Sequence, residues 1–233
     1  MRIARLPKFR SLRFWASIVS TVVSGMFVQP ATAAYGRVPL FFVENRVPAG
    51  EPARFVVKGP ELSGYFALNN VTVRIGQSNF RVSFPGASPD VRLEGSQRLS
   101  GHVNFLYGDA SQWQTNLNTY EKLTYHALFP GIDLIYSASG AHLKSDFRVA
   151  PGADPSLIRL DFGSQPVDLE RGALVLRTAA GEFREEAPVI YQIVEGRRMN
   201  ITGAFRLLRD GSVAFSIGAY NRAGPDHRSG PLL

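Results

Sequence analysis

The sequence predicts an all-β protein, antiparallel and β-sandwich-like, behind an N-terminal signal helix. Three observations carry that prediction. After Tyr35 no long window keeps a 3.6-residue apolar period. Apolar and polar residues instead alternate in short runs, roughly every 8–12 residues, as in sandwiches and barrels. Gly, Pro, Asn and Asp punctuate those runs where a helix would need caps.

Residues 1–33 read as a secretory signal. Arg2, Arg5, Lys8, Arg10 and Arg13 form a basic start, Phe14 to Val28 is apolar, and Ala31-Thr32-Ala33 has the small-x-small pattern of a cleavage site. Cleavage is expected between Ala33 and Ala34. The apolar run is about 15 residues, short of the ~20 that a spanning helix needs. Membrane contact is therefore expected only through this segment before cleavage, and the mature chain is expected to be secreted or held at the cell surface.

The leader also carries most of the charge. The chain has 26 basic and 19 acidic residues, formally +7; without the five leader cations 21 face 19, a net of +2. A nucleic-acid partner is accordingly not expected. Cys is absent from all 233 residues, which excludes disulfides, thiolate metal sites and a Cys nucleophile. The core must hold the fold alone.

The mature part, 34–222, justifies its strands in turn. Tyr35 to Asn45 reads as a short apolar strand entered through a Pro, as an edge strand allows. Ala53 to Lys58 follows. Tyr65 to Leu68 and Val71 to Ile75 flank Asn69-Asn70, a pair tolerant of left-handed φ and read as a two-residue hairpin. Phe80, Val82 and Phe84 share one face, with Arg81 and Ser83 on the other, and Val91 to Gly95 alternates likewise. The stretch from Gly101 to Asp161 reads as strands of roughly 5–8 residues, with one turn-like candidate at Ala110 to Asn116. Ile158, Leu160 and Phe162 point inward. Glu170-Arg171-Gly172, Glu195-Gly196 and Asp210-Gly211 then join hairpins, the last pair among the strongest hairpin signals. Near 163–166 the aromatic middle gives way to regular hairpins, so the unit is either single or two packed sub-sandwiches. The tail 223–233 is expected to be loose.

No catalytic constellation or phosphate-binding loop is present. His102, His126, His142 and His227 share no metal-ligand spacing, and no cofactor or metal is expected. Asp133 and Asp146 are the leading acids, each in an apolar strand where a carboxylate is costly unless paired. Met across a hairpin, they would make a glycosidase-like pair. Otherwise Asp133 caps the Pro130-Gly131 turn and Asp146 pairs with Arg148 or Lys144. Trp113, Tyr107, Tyr120 and Tyr136 either line a sugar-stacking groove or fill the core.

Several strings occur in one order: Gly101-x-Val103-Asn104-Phe105, Gly108-Asp109, Trp113-x-Thr115-Asn116, Pro130-Gly131-Ile132-Asp133, Ala150-Pro151-Gly152-Ala153-Asp154-Pro155, and Gly218-x-Tyr220. With Tyr35-Gly36 and Pro39-Leu40 they resemble the N-terminal domain, of unknown function, of bacterial exported proteins with SBBP repeats. Those repeats are thought to build a seven-bladed β-propeller. The resemblance implies an extracellular β-rich module and no activity. Where those relatives continue into their repeats, Tyr220-Asn221-Arg222 here runs into Ala223-Gly224-Pro225, which reads as the N-terminal module alone.

The expectation is therefore a non-enzymatic structural or interaction module. Its partners would be other extracellular domains, such as a β-propeller in trans, or glycans. The alternative is a carbohydrate-binding or glycan-cleaving protein that uses the aromatics and acids of 101–147.

Overall fold

In the computed structural model the described residues are 39–46, 53–59, 62–75, 77–139, 142–178, 181–194 and 197–222. The expected leader, with its expected Ala33–Ala34 cleavage site, and the tail 223–233 lie outside them. Within them the protein is all-β, in antiparallel sheets.

Five strands come first: β1 (Phe42–Glu44), β2 (Ala53–Lys58), β3 (Leu62–Ala67), β4 (Asn70–Ile75) and β5 (Ser78–Ser83). Each pairs antiparallel with the next. A long ribbon follows, β6 (Arg92–Phe105) and β7 (Gln114–Phe129), joined through a 3-10 turn at Ala110–Gln112. β8 (Ile132–Ser139) and β9 (His142–Val149) complete a nine-stranded sheet.

β7 organises that sheet. One of its edges pairs with β6 along nearly its whole length. Its other edge is divided: Thr119 and Tyr120 take β1, and Lys122 to Phe129 take β8. Two wings, β1–β5 and β8–β9, thus fork from one strand and enclose a core between them. Rings stack across it edge to face. Phe42 meets Phe66 at 5.4 Å, Phe66 meets Tyr136 at 5.1 Å, and Phe84 meets Tyr125 at 5.6 Å between centroids.

Small sheets close the open side. They are β10 (Val167–Glu170), β11 (Ala173–Thr178) and β12 (Gly181–Glu185); β13 (Ile190–Val194) with β14 (Arg197–Ile201); and β15 (Gly203–Leu207) with β16 (Val213–Ile217). Leu174, Leu176, Phe205 and Phe215 join Phe66 and Tyr125 in the same buried cluster. Ile158, Leu160 and Phe162 point into that core as alternation predicts, and Leu160 bridges to Val213.

Three local readings need correction. β1 is no edge strand: Phe42 faces Val57 on one side and Tyr120 on the other. Both of its faces are covered, Phe42 by the main core and Val43 by a second cluster with Val56 and Leu117. Apolar residues in succession, Phe41-Phe42-Val43, fit a strand buried on both faces better than an edge. The β3–β4 hairpin turns at Leu68-Asn69, since Phe66 pairs with Val71, and neither Asn69 nor Asn70 has positive φ. In the central stretch the strands run 14 and 16 residues, well beyond the short lengths expected. Gln97, Asn116 and Ala127 adopt φ of 57°, 57° and 51° inside the ribbon. Asn116 and Ala127 fall at irregularities in the register, bulges through which the strand continues.

Among the described residues no helix is long and apolar enough to cross a membrane.

Candidate functional site

Alternation sorts β7, β8 and β9 into two faces. Leu123, Tyr125, Leu134, Tyr136 and Phe147 turn inward, so their neighbours turn outward. Cross-strand register then lays Glu94, Thr124, Ile135 and Asp146 in one row over four strands, and Ser96, Lys122, Ser137 and Lys144 in the next. A groove of about 370 Å³ runs over this face, walled at the β6 end by Ser96 and Gln97. Its size falls in the range of small-molecule sites.

Asp146 lines the groove and is only 7 % exposed, with Oδ1 buried and without a hydrogen-bond partner. Burial raises its carboxyl from 3.8 to about 6, against the pull of Lys144 and Lys122. The expected pairing with Arg148 or Lys144 on a solvated face does not occur. Alternation puts Asp146 on the outer face of the sheet, and the walls of the groove bury it there.

Asp133 does different work. Its Oδ1 accepts from the Ala127 backbone N–H at 2.8 Å, satisfying the left-handed bulge of β7 instead of the Pro130-Gly131 turn. It pairs in register with Arg148, one diagonal step from Asp146, and does not line the groove. With Asp133 held by the backbone, the two acids do not form a dyad over a common cavity. His126 lines the groove and meets Glu94 at 3.2 Å.

The aromatics are dispersed. Tyr136 is buried and lines a small interior cavity of about 60 Å³. Tyr120 is half-buried, its ring 5.9 Å from that of Phe55. Trp113 and Tyr107 instead sit together at the far end of the ribbon, 48 % and 66 % exposed, beside Leu106 at 54 %. Trp113 Nε1 donates to the Gly108 carbonyl at 3.3 Å. Tyr107 stacks on Phe105 at 6.1 Å, and Lys58 Nζ lies 4.8 Å and 5.0 Å from the two ring centroids. No single concave surface collects Trp113 with Tyr120 and Tyr136.

One polar residue of the interior escaped the sequence reading. Glu185, on β12, is 4 % exposed, lines the interior cavity with Tyr136 and Ser145, and leaves Oε2 without a partner. Burial, with Glu186 nearby, lifts its carboxyl from 4.5 to about 10, so it is protonated at neutral pH. Parity held the signal. Phe183 and Glu185 are two apart, so an inward Phe183 carries Glu185 inward as well.

Among the described residues no group of three His, Asp or Glu side chains is placed to hold a metal. A family model described as a domain of unknown function, DUF7948, matches residues 42–225. No curated protein and no solved structure matches the chain.

Proposed function

The chain belongs to the DUF7948 family, whose function is unknown, and from that premise we propose that it is an exported, non-enzymatic interaction module. It binds another extracytoplasmic protein domain, such as a β-propeller supplied in trans, through the far end of the β6–β7 ribbon. One observation carries this reading: Leu106, Tyr107 and Trp113 stand exposed together where the ribbon ends.

Exposed Tyr and Trp are the residues that most often dominate protein interfaces. They cost least when already ordered. Here Lys58 packs on Phe105 and Tyr107, and the Trp113 indole is tied to Gly108. The ribbon is anchored behind them by Leu117, Val103 and Phe105 on Val43 and Val56. Export is supported by the leader's basic, apolar and small-residue order. A non-enzymatic role is supported by the acids, since Asp133 is committed to the backbone and leaves Asp146 without a second carboxylate.

A photo-crosslinking amino acid in place of Tyr107, in cells that export the protein, tests the reading. A discrete adduct with one protein is expected, lost on Trp113→Ala and absent when the crosslinker replaces Arg209. No such adduct, or glycan hydrolysis abolished by Asp146→Asn, overturns it.

A further inference from the structure

We propose that the groove over β6–β9 binds a sugar acid, a monosaccharide-sized ligand with one carboxylate and several hydroxyls. The groove lies on the outer face of the sheet, apart from the ribbon tip, so the two readings stand or fall separately.

Charge selects the carboxylate. Lys122 and Arg148 line the groove, and among the described residues neither meets an acid in an ion pair. Lys144 adds a further positive field beside Asp146. His126, the remaining basic group, is engaged by Glu94. The groove thus keeps a cationic surplus.

Asp146 selects the hydroxyls. Its buried Oδ1 lacks a donor, and a buried acceptor left unmade costs about 1–3 kcal/mol. Oδ1 is closed off from the groove as it stands, so a ligand O–H relieves that cost only when the side chain turns this oxygen outward; a second anion here would be repelled. Around it Ser96, Thr124, Ser137 and Gln97 offer groups that donate and accept. That is the complement of a polyhydroxylated ring. Ile135, between Thr124 and Asp146 in the cross-strand row, supplies an apolar patch for the ring's C–H face. With its carboxyl near 6, Asp146 is largely ionised at neutral pH and acts there as an acceptor.

An ammonium group would also satisfy Asp146, so an amino acid is the competing ligand class. The test is an NMR titration of the purified protein at pH 7 with glucuronate, glucose and glutamate in separate arms. Glucuronate is expected to shift the Ile135 methyl and Asp146 amide signals and to saturate with a Kd of roughly millimolar. Glucose and glutamate are expected to bind at least about tenfold more weakly. Lys122→Met and Asp146→Leu are each expected to weaken glucuronate about tenfold. Asp146→Leu should also keep or raise the Tm, because it removes an unpaired buried acid. Unmoved signals with glucuronate, or parental affinity in Lys122→Met, overturn the site. A preference for glutamate overturns the ligand class.

Discussion

The Tyr125 phenol donates to the Ala67 carbonyl across 2.8 Å, inside the core. The bond joins β7, which carries both wings, to the end of β3 in the first wing. Burial holds the phenol well above its usual pKa, so it stays a donor at every pH of interest. Tyr125→Phe removes this donor from the Ala67 oxygen inside the core. The expected loss is about 1–3 kcal/mol, read as a lower urea midpoint with unchanged slope.

Glu185 makes stability depend on pH with a defined sign. Its carboxyl moves from 4.5 to about 10 on folding, so between those values the folded chain holds a proton that the unfolded chain has released. Stability is then greatest below about 4.5 and falls as pH rises, by at most about 1.4 kcal/mol per unit. Asp146 adds the same slope between 3.8 and about 6. Glu185→Gln keeps the shape and removes the proton. Urea melts between pH 6 and 9 should show a falling midpoint for the parent and a nearly flat one for the variant.

Gly131 is a backbone requirement. It follows Pro130 in the two-residue β7–β8 turn with φ of 70°, and a Cβ there would lie 2.7 Å from the Ala153 Cβ. Left-handed φ costs an L-residue about 1–2 kcal/mol before any clash. Gly131→Ala should therefore cost about 2 kcal/mol or more in a denaturant melt, while Gly86→Ala, with open space around it, should cost less.

Ala127 offers the converse. An alanine sits at φ 51° on the β7 bulge, its N–H donating to Asp133. Ala127→Gly should stabilise by up to about 1 kcal/mol, because the strain falls away and the hydrogen bond stays. Asp133→Ala should destabilise by about 1 kcal/mol. Thermal melts of the two variants should move in opposite directions.

Much of the fold was legible because turns and alternation are local. Asp210-Gly211 and Glu170-Arg171-Gly172 turn where their chemistry says, and Gly211 and Gly172 adopt φ of 83° and 87°. Ribbon length was not legible. Gln97, Asn116 and Ala127 are ordinary residues, and nothing local marks the left-handed φ through which the ribbon continues. The site was half legible. Asp146 stood out as an acid in an apolar strand, but its burial depends on a groove whose far wall, Ser96 and Gln97, comes from another strand. Glu185 lies among Glu182, Arg184 and Glu186, which hide its parity with Phe183. Trp113 and Tyr107 are legible in the sequence as aromatics, but their exposure follows from where the ribbon ends.

The forked edge of β7 fixes an order of assembly. During synthesis β1 to β5 emerge first, yet β1 carries apolar residues on both faces and cannot be covered until Thr119 and Tyr120 arrive to pair with it. A contact so distant in sequence makes closure slow, and an unclosed first wing presents a sticky, unpaired strand to its neighbours. A nascent chain of this kind gains from being kept extended until β7 is complete.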